Sequence, residues 1–143
     1  MRSREQVIWD FVQCWLAKAE GDLRAAEILL AGLGGHGEVV GFHSQQAAEK
    51  FMKAYLVRHQ IEFAKKHDLA LLRKLISKTD EQLAAQLAFA DWLTPFGVEF
   101  RYPGEIPETN QQTAKQAVED AKRTRQFILN ALEEYLRRGR PAS

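Results

Sequence analysis

Cysteine is almost absent from this sequence: Cys14 is the only one among 143 residues. A lone thiol excludes an intrachain disulfide and any cysteine-built metal motif, and it suits a reducing compartment. Proline is also scarce, at four residues, and glycine numbers nine, which leaves room for long helices. No apolar run approaches the roughly 20 residues that span a bilayer. The N-terminal stretch MRSREQVIWDFVQCWLAKAEGD is broken by charges throughout, so it does not read as a secretory signal. The expectation is a soluble, cytoplasmic protein with no membrane partner. Net charge is only +1, so bulk electrostatics does not point to nucleic acid. The histidines, at 36, 43, 59 and 67, form neither a His-x3-His nor a Glu-x-x-His pair, and no metal site or cofactor is expected. Gly32, Gly34, Gly35 and Gly37 lack the Gly-Lys-Ser/Thr ending and the preceding strand of a phosphate loop. They read as a helix–helix connection.

What is present is helix-forming: Ala, Leu, Glu, Gln, Lys and Arg dominate. Residues 4–31 carry apolar side chains at helical spacing from Val7 to Leu30. Residues 41–58, GFHSQQAAEKFMKAYLVR, continue to about Gln60, and their apolar positions cover more than half of a helical wheel. A helix of that kind belongs inside a bundle. A short third helix over 69–77 follows a cap at His67 or Asp68, and a fourth follows Thr79 or Asp80 and ends near Thr94-Pro95. Residues 96–109 read as irregular, held by Phe100 and Tyr102, before Thr109 or Asn110 caps a last long helix. The fold class expected is all-α: one domain over 1–143, an up-and-down bundle of about five helices with a four-helix core. Trp9, Phe11, Trp15 and Phe127 are assigned to the core or to a self-association seam along the first and last long helices.

Charge is distributed unevenly. Residues 50–78 hold eight Lys or Arg and two acids, whereas residues 79–134 hold five and ten. This asymmetry suits an anion or an acidic partner near the first segment, or simply a solvated basic face. Within the central helix, His43, Gln46, Lys50 and Lys53 recur three or four apart on one face, flanked by Gln45 and Glu49. The stripe reads as a surface seam or as one wall of a ligand groove, with an imidazole and two ammonium groups to offer phosphate. Lys65 and Lys66 follow in a loop, as phosphate contacts or as solvated charge.

Four motifs occur in order. They are Ala19-x-x-Asp22-Leu23-x-x-Ala26, Phe42-His43-x-Gln45-Gln46-Ala47-x-Glu49-Lys50, Lys65-x-His67-Asp68-Leu69 and Arg101-Tyr102-Pro103. Together they resemble the HEPN domain (higher eukaryotes and prokaryotes nucleotide-binding), in its stand-alone prokaryotic type, which is often the partner of a minimal nucleotidyltransferase. The resemblance implies a helical bundle, commonly a homodimer, that binds a nucleotide or RNA and serves in a toxin–antitoxin-like pair. Many relatives are metal-independent ribonucleases that use Arg, four to six residues, then His. Here Arg101 would take the Arg position, but positions 106–108 are Ile106, Pro107 and Glu108. That catalytic motif is absent, so enzyme activity is expected only from a displaced set, with His43 and His67 as the candidate acid–base groups. His67 also reads as a helix-start residue. Arg101 either grips phosphate or pairs with Asp22, which needs a partner if buried. A purely structural dimerisation protein is the remaining alternative.

Overall fold

The computed structural model describes residues 1–32, 37–97 and 109–143. Six α-helices occur among them: α1 (Arg4–Ala31), α2 (Gly37–Arg58), α3 (Leu69–Ile76), α4 (Glu81–Gln86), α5 (Gln111–Ala131) and α6 (Glu133–Arg138). A 3-10 segment, Leu87–Gly97, extends α4. The expected all-α, up-and-down bundle is observed. α1, α2 and α5 are its long members, and α3 with the 3-10 segment fills the fourth position.

The helix starts are set by side-chain caps. Ser3 and Gln6 form a reciprocal capping box on α1. Asp68, Asp80 and Asn110 accept from the backbone N–H of Leu71, Leu83 and Thr113. In each case the second of the two candidate caps is used. Thr79 is engaged elsewhere: its hydroxyl donates to the Ile76 carbonyl and therefore accepts from the Tyr55 hydroxyl at 2.9 Å.

α2 packs against α1, α5, α3 and the 3-10 segment. Its buried positions run all around the helix and include Phe51, Met52, Tyr55 and Leu56 together with polar Ser44, Gln45, Glu49 and Lys53. It starts at Gly37, earlier than the expected Gly41. Gly41 instead lies within the helix, beneath a ring: a Cβ there would stand 2.5 Å from Cδ1 of Phe96. The missing side chain is what allows the 3-10 segment to close on α2.

Two further boundaries differ from expectation. The fourth helix leaves α geometry at Leu87, and its buried residues Leu87, Ala90, Leu93 and Phe96 are three apart. That is the repeat of a 3-10 helix rather than of an α-helix, and Pro95 lacks the N–H that would continue an α ladder. The last helix breaks at Leu132, whose φ of −97° and ψ of 1° end α5 before α6 resumes. Asp120, 3% exposed, ties α5 to the 3-10 segment by accepting from the Trp92 indole N–H at 2.7 Å and from Gln116 at 2.9 Å.

Among the described residues no helix is long and apolar enough to cross a membrane.

Candidate functional site

The polar face of α2 does not form one continuous exposed stripe. It divides into two neighbouring clusters, each built around a carboxylate, one facing α1 and one turned toward the core and the turn before α3.

The first cluster bridges α1 and α2. Asp22 projects from α1 between buried Ala19, Leu23 and Ala26. Its Oδ1 accepts from Nδ1 of His43 at 2.8 Å, and its Oδ2 accepts from the Lys50 ammonium. The need for a partner, read from the apolar surroundings of Asp22, is thus met by two groups one helix away. Both donors keep solvent contact; the His43 side chain is 28% exposed. A carboxylate only accepts, so Nδ1 carries the hydrogen and the lone pair of a neutral ring sits on Nε2. Among the described residues Nε2 of His43 has no hydrogen-bond partner.

The second cluster lies deeper. Glu49, 2% exposed, accepts from Gln45 Nε2 at 3.1 Å, from the Lys53 ammonium at 3.1 Å and from Nδ1 of His67 at 2.9 Å. Lys53 is buried as well, and its ammonium lies 5.3 Å from the Trp15 ring centroid and 5.2 Å from that of Phe63. A buried charge survives only when paired and hydrogen-bonded. Glu49 and Lys53 answer that need for each other, and the two rings add cation–π attraction. Lys53, grouped by spacing with the accessible stripe, therefore turns inward, because α2 is covered on the side it occupies. Gln45, a flanking residue in the sequence reading, is fully buried: it spans from Glu49 to Gln46, whose Nε2 donates to Gln45 Oε1 at 2.7 Å. Its side chain rests on Gly97, where a Cβ would fall 2.5 Å from its amide carbon.

His67 is anchored in the same manner as His43. Its Nδ1 is held by the buried carboxylate while the side chain stays 52% exposed. The residue after it, Asp68, is the cap of α3, so the turn that starts the helix also presents the imidazole. Lys65 and Lys66 are exposed in the preceding loop. Arg101, with its expected pairing to Asp22, lies outside the described residues, as do Phe100, Tyr102, Pro103 and positions 106–108. The described segments flanking it are fixed to α2: Gly97 packs on Gln45, and Thr109 packs on Gly37.

Sequence reasoning placed His43 and Lys50 on one face and flagged Asp22, but it did not join them, since α1 and α2 are 21 to 28 positions apart at these contacts. It missed Glu49 as the centre of the second cluster. The available signal was that Gln45, Glu49 and Lys53 are spaced four apart, the pattern of an internal i,i+4 ladder. Among the described residues no group of His, Cys, Asp and Glu is placed to hold a metal ion.

No curated protein and no solved structure matches the chain. A family model does match, over residues 12–134, which takes in α2 to α5, most of α1 and the start of α6. Both carboxylate clusters and the 3-10 segment fall inside that span, and by this match the chain belongs to the HEPN domain family.

Proposed function

We propose that this chain is a nucleotide- or RNA-binding HEPN module, one unit over 1–143, acting as the partner of a minimal nucleotidyltransferase in a toxin–antitoxin-like pair. The observation that carries the reading is the convergence of His43 and Lys50 on the single carboxylate of Asp22, at a partly exposed face. The partly exposed Lys50 ammonium and the remaining ring nitrogen of His43 stand side by side, and they offer an incoming phosphate a point charge and a hydrogen-bonding group. Gln46 and, from the sequence reading, Arg101 belong to the same set; Lys65 and Lys66 supply outer, salt-sensitive contacts. Exposed Phe11 and Ile28 on α1 suit a homodimer seam.

The test is thermal melting with ATP and with a short RNA, at low and moderate salt. A ligand at about 100 times its Kd adds about 2.7 kcal/mol to the folded state, which is readily seen as a rise in Tm. The rise should shrink with salt and vanish in Lys50→Ala. An unchanged Tm with every ligand returns the chain to the structural-dimer reading.

A second reading, a metal-independent ribonuclease with a displaced catalytic set, is favoured by one observation. Both His43 and His67 are partly exposed and held through Nδ1 by carboxylates, which leaves Nε2 of each ring as the nitrogen available for acid–base work. It requires RNA cleavage in the presence of a chelator, lost in His43→Ala or His67→Ala.

A further inference from the structure

Between the loop 62–66 and α3 lies an open groove of about 790 Å3. Phe63, Leu71, Leu72 and Leu75 supply its apolar surface. Leu71 stands off the buried stripe of α3 and is 44% exposed, which leaves a large apolar side chain open to solvent. Lys66, Lys74 and Lys78 line the same groove and are exposed. Among the described residues none of the three has an ion-pair partner. Two carboxylates also line it. Asp68 accepts from the Leu71 N–H at 3.2 Å as the cap of α3 and keeps its charge, so Glu62 and Asp68 stand against three lysines and the groove carries an excess of one positive charge.

We infer that this groove is a docking site for an acidic amphipathic helix of a partner protein. Helix-in-groove recognition needs an apolar floor for residues at i, i+3, i+4 and i+7, and a charged rim that selects the partner's flanks. The leucines of α3 give the floor and the lysines give the rim, so the complementary helix carries Leu, Ile or Phe on one face and Asp or Glu beside it. A nucleic acid fits the same surface poorly. Single-stranded binding rests on aromatic platforms for the bases, and here the floor is aliphatic except for Phe63, whose ring is already taken by the Trp15 edge and by Lys53. The inference does not depend on the anion site at Asp22: of the residues proposed there only the outer Lys66 lines the groove, and the variants below leave Lys66 in place.

The experiment is a selection of helical peptides of about 16 residues on the full chain, followed by fluorescence anisotropy with the enriched peptides. The expected peptides are amphipathic and acidic. Their affinity should fall about tenfold or more in the double variant Lys74→Glu/Lys78→Glu, because like charges then face each other. It should fall likewise in Leu71→Asp, and it should weaken several-fold between about 50 mM and about 500 mM salt. All three substituted side chains are exposed, and a thermal melt checks that each variant is folded; if Leu71→Asp is not, the lysine double variant decides alone. Failure to enrich any peptide overturns the inference. So do enriched peptides that bind the variants as tightly as the parent chain, and so does a short RNA that binds the parent and loses affinity in the lysine double variant.

Discussion

Asp22 and His43 are joined across the α1–α2 interface by a hydrogen bond of 2.8 Å from the imidazole Nδ1–H to Oδ1. The contact fixes the ring tautomer as well as its position. In the parent chain above neutral pH, long-range nitrogen–proton NMR correlations should therefore show His43 with its hydrogen on Nδ1. Asp22→Asn keeps the shape but offers an N–H as well as an oxygen, so the tautomer should become mixed. Loss of the charged acceptor should also cost about 1.5–3 kcal/mol in denaturant unfolding. A His43 that keeps a single Nδ1–H tautomer in Asp22→Asn would show that something other than Asp22 orients the ring.

The Glu49–Lys53 pair makes a different forecast, because both members are buried. Glu49→Leu leaves the Lys53 ammonium without its carboxylate and should destabilise the chain by about 3–5 kcal/mol. Lys53→Met should cost a similar amount for the converse reason. The double variant Glu49→Leu/Lys53→Met removes both charges and should recover a large part of the loss, so that the two single effects are not additive. Chemical denaturation of the four proteins checks this. Additive losses would mean that each residue acts through its other contacts, with Gln45 and His67 or with Trp15 and Phe63.

Asp10 makes a small contribution to acid stability. Hydrogen bonds from Arg140, at 3.0 and 3.2 Å, and from Arg2, at 2.9 Å, hold its carboxyl down to about 2, from an ordinary 3.8. The folded state thus binds its proton later than the unfolded chain does. The contribution is complete above pH 3.8 and is lost as pH falls from there through about 2. Asp10→Asn should flatten the stability profile in that window. The same substitution should leave the slope near neutral pH untouched, which urea titrations across the range will register. The pair is open to solvent, so the change should be small and should shrink further in salt.

The helices, their caps and the enclosed character of α2 could be read from residue spacing, because each depends on neighbours within a turn or two. The 3-10 geometry of 87–97 was also written in the chain, in the strict three-residue repeat Leu87, Ala90, Leu93, Phe96, yet three of those residues fit an α-helical stripe just as well. What local spacing does not carry is the identity of partners across the bundle. Lys50 and Lys53 differ by one position in a polar stripe, but Lys50 meets Asp22 on α1 while Lys53 enters the core with Glu49. That difference arises from how α1 and the turn before α3 close around α2, a property of packing rather than of periodicity. The buried Asp120 escaped notice for the same reason: its partner Trp92 is 28 residues away.

The enclosure of α2 by α1, α3, α5 and the 3-10 segment also sets how the molecule opens. Short peripheral α6 has no buried residue and no side-chain cap at its start, so its amides can exchange with deuterium by local fraying. Those in the middle of α2, from Ala47 to Leu56, have no such route. Each neighbour would have to leave before they met solvent, and their exchange therefore waits on cooperative opening of the whole bundle. The helix that bears His43, Lys50 and Lys53 should thus exchange slowest among the described residues, and His43 and Lys50 are displayed from a rigid scaffold rather than from a segment that must order first.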